Sequence, residues 1–272
     1  MGNHETAQHE ATLFAEPIFN WGSFSVTNSL LNSFVATLIL VIFFWLVARK
    51  VKSVPRGLQN FFELVLEFAL SFFDSITNNR KKSEQFLPLV LGLFLFILVN
   101  NYLGLLPGIG TVGFVENHNG ESVFVPLLRG ATADLNTTLA LGLISVIIVH
   151  MVGVWSVGWW AHLNKFLNFK TLLEIPRKFT KDPSVLLVNP IKFFVGIIEI
   201  VSELAKIASL SFRLFGNIFA GEVLLASMMT MMAFLLPIPF IFLEVLVGVI
   251  QALVFAVLIL VFLTISTNLA DR

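Results

Sequence analysis

The chain has 272 residues, of which 57% are hydrophobic and 12% charged, with 17 basic side chains balanced by 17 acidic ones. That profile belongs to a polytopic membrane protein rather than a soluble globule, and zero net charge by itself selects no partner; no nucleic acid is expected. Cysteine is absent, which excludes disulfides, thiolate metal sites and thiol chemistry, and no Gly-rich phosphate loop or His-Glu-x-x-His occurs; no cofactor and no metal are expected.

Residues 1–27 carry Glu5, Glu10 and Glu16 and no Lys or Arg. The first apolar run therefore lacks the basic flank of a secretory signal and reads as a retained span with the N-terminal segment outside. Spanning a bilayer takes about 20 apolar residues in a helix. Residues 28–49 form one such run, ending at Ala48-Arg49-Lys50. Residues 57–78 are different: Phe61, Phe62, Leu64, Val65, Phe68, Ala69, Phe72 and Phe73 recur at three- and four-residue spacing, while Gln59, Glu63, Glu67 and Asp74 fall mainly elsewhere. This pattern predicts an amphipathic helix lying in the membrane interface, with packing against another protein as the alternative. Residues 84–106, closed by Pro107-Gly108, and 134–160, with Asp134 as N-cap, are the next two spans.

Charge placement gives an orientation. Arg49, Lys50, Lys52, Arg56, Arg80, Lys81 and Lys82 lie between the first two spans, and Lys165, Lys170, Arg177, Lys178, Lys181 and Lys192 follow the third. The N-terminal segment has no basic residue and the 107–133 connection has only Arg129. The positive-inside rule puts the N-terminus outside, 49–83 inside, 107–133 outside and 161–192 inside.

From Pro190 to Leu236 no further proline interrupts an apolar run. A continuous helix of about 45 residues would be about 67 Å long, roughly twice the hydrocarbon core. Either a hidden turn divides it or one helix lies steeply tilted. Pro237 and Pro239 supply the first strong turn signal, and 240–268 returns to the inside. The favoured reading is a tilted hairpin of 190–236 and 240–268. The fold is thus an all-α membrane domain spanning the whole chain, with about five membrane helices and one interfacial helix. No internal repeat or long linker divides it, so the inverted repeats of many stand-alone secondary ion transporters, the rival functional class, find no support.

Glu199, Glu203, Lys206, Arg213, Glu222 and Glu244 all fall in this final hairpin, whereas His150 is the sole ionisable group in the cores of the first three spans. Intramembrane ionisable groups mark ion paths and proton relays. For Glu199, Glu203 and Lys206, internal ion pairing is an equal alternative. An Arg at the centre of a membrane helix costs roughly 2.5 to 3.5 kcal/mol on insertion scales, so it needs a cavity or a carboxylate. No acid lies three or four residues from Arg213, and Ala205, Ser209, Gly216, Asn217 and Ala220 share its stripe. Small residues there admit a close helix, which makes the stripe a docking face if the partner carboxylate is on another chain. Glu222 lies nine residues past Arg213, almost opposite on the helix and about 13 Å along it. Glu244 and Gln251, seven apart, share a face of the last helix. A cavity between the two long helices is expected to collect Glu222, Glu244 and Gln251, with Asn217 near its deep end.

The run Ser-Leu-Ser-Phe-Arg-Leu-Phe-Gly-Asn-Ile-Phe-Ala-Gly-Glu at 209–222 resembles the signature of subunit a of the rotary F-type ATP synthases. Leu-Leu-Pro at 105–107, Ala-Asp-Leu-Asn-Thr-Thr at 133–138 and Gln-Ala-Leu-Val-Phe at 251–255 are similar to that family's other landmarks, and the likeness covers residues 85–272. The resemblance implies a non-catalytic stator with two aqueous half-channels leading protons to and from the carboxylates of a c-subunit ring. Arg213 matches the arginine that separates the channels. Asn217, Glu222 and Gln251 match the outer channel, Glu199 matches the inner side, and Lys206 and Ser209 fall at matching positions. A c-ring against the Arg213 face, b-type peripheral stalk subunits and the lipid bilayer are the implied partners. The bacterial plasma membrane is the implied location, with an organellar energy-transducing membrane as the alternative. Many bacterial relatives carry His where this chain has Glu244, so here Glu stands at both 222 and 244.

Overall fold

The computed structural model describes residues 13–22, 24–49, 57–106, 108–109, 112–118, 121–160, 185–232 and 235–268. Six long helices dominate: α1 (Asn28–Ala48), α2 (Leu58–Thr77), α3 (Arg80–Leu105), α4 (Leu135–Val157), α5 (Val185–Met231) and α6 (Pro237–Asn268). Four of them, α1, α3, α4 and α6, are long and apolar enough to cross a membrane. The fifth expected membrane helix, α5, carries Glu199, Glu203, Lys206, Arg213 and Glu222 along its length. The chain is therefore an all-α polytopic membrane protein.

Local chemistry sets the helix ends. Thr27 caps α1 by accepting a hydrogen bond from the Leu30 amide at 3.3 Å. Asn78 takes a left-handed conformation (φ 51°) and closes α2, and the Asn79 side chain at once caps α3 through the amides of Lys81 and Lys82. This two-residue corner starts α3 at Arg80, four residues ahead of the apolar run that marked it in the sequence. Asp134 caps α4 as its position suggested, accepting from the amides of Asn136 and Thr137. α5 runs 47 residues without a turn, about 70 Å at 1.5 Å per residue, so the single long helix prevails over the hidden turn. α6 starts at Pro237, where a missing N–H and a fixed φ suit the first helical position.

The core is built by α3, α4, α5 and α6. Val90 and Ile97 of α3, Val146 and Val149 of α4, Leu210 and Leu214 of α5, and Ile259, Leu260 and Leu263 of α6 are buried together. α1 stands at the edge, with Phe34, Leu38, Val41, Ile42 and Trp45 exposed on a lipid-compatible face. α2 packs on α3 and α6 and leaves Phe61, Leu64 and Phe68 exposed. Close approach of α4 to α5 depends on Gly142, because a Cβ there would collide with the Ser211 hydroxyl.

Two antiparallel hairpins, which helical periodicity does not reveal, occur among the described residues. β1 (Pro17–Trp21) pairs with β2 (Phe24–Thr27) directly before α1. β3 (Gly113–His118) pairs with β4 (Glu121–Pro126) between α3 and α4, in a register that sets Gly113 opposite Pro126 and His118 opposite Glu121. A 3-10 turn, Ala131–Ala133, leads into α4. These pieces meet at one end of the helices. Asn28 donates from its amide to Glu16 O (3.1 Å) and from its side chain to Pro126 O (3.4 Å), and the Leu135 amide donates to Leu13 O.

Candidate functional site

The α5–α6 hairpin carries Glu199, Glu203, Lys206, Arg213, Glu222 and Glu244, and three contacts show its register. Gly221 lies against Glu244, Arg213 and Leu214 face Gln251 and Phe255, and the Lys206 ammonium lies 5.0 Å from the centre of the Phe262 ring. The two helices therefore run antiparallel with their polar positions spaced along one seam.

Arg213 is on the open side of this seam. Ala205, Ser209, Phe212, Arg213, Gly216, Asn217 and Ala220 are all exposed, forming a continuous row along α5. The row follows from the sequence: positions three and four apart share a helix face, and small residues keep it shallow around the one long side chain. Arg213 donates to the Ser209 hydroxyl at 3.5 Å, and no ion pair reaches it among the described residues. An uncompensated guanidinium on a lipid-side surface is costly, so this face requires either water or a partner's anion.

Towards the end that holds the hairpins, two carboxylates take different settings. Glu222 forms a fork with Arg129, at 3.1 Å from Nη2 to Oε2 and 3.2 Å from Nε to Oε1. Arg129 is buried and also donates to Phe14 O at 3.3 Å. Glu244 is buried against α5, its carboxylate occupying the space that a Cβ on Gly221 would take. Gln251 lies two turns deeper, beside Arg213. Glu222 thus turns to Arg129, two residues before the 3-10 turn, and Gln251 to Arg213. Asn100 and Asn101 of α3 are buried nearby, and Asn101 donates to Gly248 O of α6 at 2.9 Å.

Towards the opposite end, Glu203 binds Lys206 at 2.9 Å and approaches His150 Nε2 at 3.4 Å. The pairing of Glu203 with Lys206 was readable as a three-residue spacing. The approach of His150 was not, because it depends on α4 packing against α5. Glu199 is half-buried on α5 one turn further along. Arg129 is the other residue that sequence reasoning passed over; its isolation as the sole basic group in 107–133 was the available signal. No group of three His, Asp or Glu able to hold a metal occurs among the described residues.

Comparison with known proteins places the sequence in a family. Residues 30–264 match the family model described as ATP synthase A chain. The chain is 30% identical over 246 residues to ATP synthase subunit a of Moorella thermoacetica, covering 90% of this chain and 93% of that one. It is 32% identical over 243 residues to ATP synthase subunit a of Syntrophobacter fumaroxidans (88% and 84% covered). It is 33% identical over 234 residues to that of Gloeobacter violaceus (85% and 80% covered). With a polar seam along two long antiparallel helices and a family match across most of its length, the chain belongs to the ATP synthase subunit a family of multi-pass membrane proteins.

Proposed function

We propose that this chain is the stator against which a ring of carboxylate-bearing c subunits turns, and that Arg213 keeps two aqueous half-channels apart. The observation that carries the reading is the exposed row on α5 with Arg213 at its middle and polar groups buried beside it towards both ends. Asn217, Glu222, Glu244 and Gln251 serve the outer path; Glu199, Lys206 and Ser209 serve the inner one. A protonated ring carboxylate is neutral and tolerates lipid. Near Arg213 it gives its proton to the inner path, and the carboxylate is held by the guanidinium. Rotation then carries the next site to the outer path, which reloads it. Arg suits the position because it stays charged when desolvated, whereas a Lys would lose its proton. The chain has no catalytic site of its own, contacts the peripheral stalk elsewhere on its surface, and lies in a bacterial plasma membrane with its N-terminus outside and its C-terminus inside.

The absence of native cysteine makes the test direct. Asn217→Cys and Ser209→Cys, introduced singly, are expected to cross-link to a cysteine placed beside the ring carboxylate in the assembled complex. Leu214→Cys, on the buried side of α5, is expected not to. Assembled complexes in which neither exposed position cross-links would show that the ring lies elsewhere.

A further inference from the structure

At the inner end of the seam α4, α5 and α6 converge on a cavity of about 20 Å³, room for about one water molecule. His150, Glu203, Lys206 and Ser266 line it, with Phe262 and Ile265 closing the apolar side. Glu203 is the hub: Lys206 holds one carboxylate oxygen at 2.9 Å and His150 Nε2 lies 3.4 Å from the other. The Ser266 hydroxyl donates to Val149 O at 3.4 Å. Glu203 is ten residues before Arg213, about 15 Å along α5, so the cluster sits beyond the ring-facing arginine and not at it.

Among the described residues, Glu203 and Lys206 of α5 are the charged groups turned to His150, with Glu199 one turn further along the same helix; α6 presents Phe262, Ile265 and Ser266, which do not titrate. A Lys–Glu pair alone would be a neutral brace. Histidine is the side-chain type whose ordinary titration falls between pH 5 and 8, and this one lines a water-sized space. We propose that His150 is the proton-exchange group of the inner half-channel, oriented by Glu203, with Lys206 holding that carboxylate in place. A proton released by a ring carboxylate crosses by water to the imidazole, which becomes imidazolium against Glu203 and then passes the proton to inner-side water, returning to neutral. This rests on the stator reading above and adds a residue on α4, outside the hairpin, to the path.

The test uses the assembled synthase in inverted membrane vesicles, where the inner face meets the buffer. ATP-driven acidification is followed from pH 5.5 to 8.5 at matched subunit levels. His150→Gln is expected to slow pumping by about tenfold, less than the hundredfold or more usual for a lost acid–base group because water bypasses it, and to change the pH profile of pumping. External imidazole is expected to restore pumping in His150→Ala. Glu203→Gln, which keeps size and shape, is expected to alter the pH profile of pumping, because the imidazolium loses its counter-charge. Wild-type rate and profile in assembled His150→Gln would overturn the proposal. So would a uniform slowing with an unchanged profile and no imidazole rescue. Should the His150 variants fail to assemble, an unshifted profile in Glu203→Gln overturns it alone. Arg213→Ala in the same vesicles separates the two readings: loss of pumping there alongside an unaffected His150→Gln removes only the histidine, whereas retained pumping removes the stator reading itself.

Discussion

At the residue scale, the fork between Arg129 and Glu222 is the most deeply buried arginine–carboxylate pair among the described residues. Arg129 is 4% exposed, while the Glu222 side chain is 30% exposed. A guanidinium so deeply buried is tolerated because its donors are used, by Glu222 and by Phe14 O. Removing one partner leaves the other uncompensated, which in full burial costs 3–5 kcal/mol; the partial exposure of Glu222 lowers the expectation to about 1–3 kcal/mol. Arg129→Gln is therefore expected to reduce the thermal stability of the complex more than the double variant Arg129→Gln/Glu222→Gln does. A double-mutant cycle on subunit a melting would measure it, and simple additivity would mean that the two side chains are not coupled. The same pairing gives Glu222 and Glu244 different settings. Glu222 is tied to a fixed cation, whereas Glu244 is enclosed by helix packing.

At the element scale, close approach between helices positions the polar seam. Gly221 lets α5 come up against Glu244 of α6. Gly221→Ala forces the Glu244 carboxylate aside and is expected to destabilise the assembled complex by about 1–3 kcal/mol, the usual penalty of overpacking. Gly92→Ala, where an added Cβ meets open space, is the control and is expected to be neutral or slightly stabilising through helix propensity. Equal melting temperatures for the two variants would contradict the packing account. The α2–α3 corner makes a separate prediction. Asp74 lies outside the membrane spans, and neighbouring Ser83 and Arg80 hold its carboxyl below the ordinary value of 3.8. Arg80 bridges to it at 2.8 Å and to Glu84 at 3.0 Å. A depressed carboxyl contributes stability above its unfolded pKa and loses it as pH falls through the folded one. Protease resistance of this corner is thus expected to be flat from pH 5 to 8 and to decline only in stronger acid. A change near neutrality would assign the corner's stability to other groups. The contribution is small, because the pair is exposed.

At the scale of the whole molecule, the described non-helical pieces gather at one end of the helices. Strands β1 to β4, the 3-10 turn and residues 13–16 all meet beside Arg129, Asp134 and the start of α4. Much of the helical plan was legible in the sequence because a membrane demands it: apolar runs of fixed length, charge asymmetry between connections, and a three-four pattern in α2 all follow from one-dimensional rules. The lack of a strong breaker after Pro190 left a hidden turn and one long helix both open; the helix runs Val185–Met231, beginning five residues before Pro190 and ending five before the expected 236. The hairpins escaped that reading, although Asn119-Gly120 between His118 and Glu121 is a strong local hairpin signal; attention to helical periodicity passes over short strands. The Arg213 stripe was legible as spacing on one helix. The partners of Glu222 and of Glu203 were not, because Arg129 is 93 residues from Glu222 and His150 sits on a different helix, so only packing brings them together.

The central claim is that Arg213 stands on the ion path as the barrier between two half-channels. ATP-driven acidification of inverted vesicles, comparing wild type with Arg213→Ala at equal assembly, tests it most directly. The account predicts complete loss of pumping together with a passive proton leak through the assembled membrane sector. Undiminished pumping by Arg213→Ala, with no leak, would contradict it and make the arginine a structural residue.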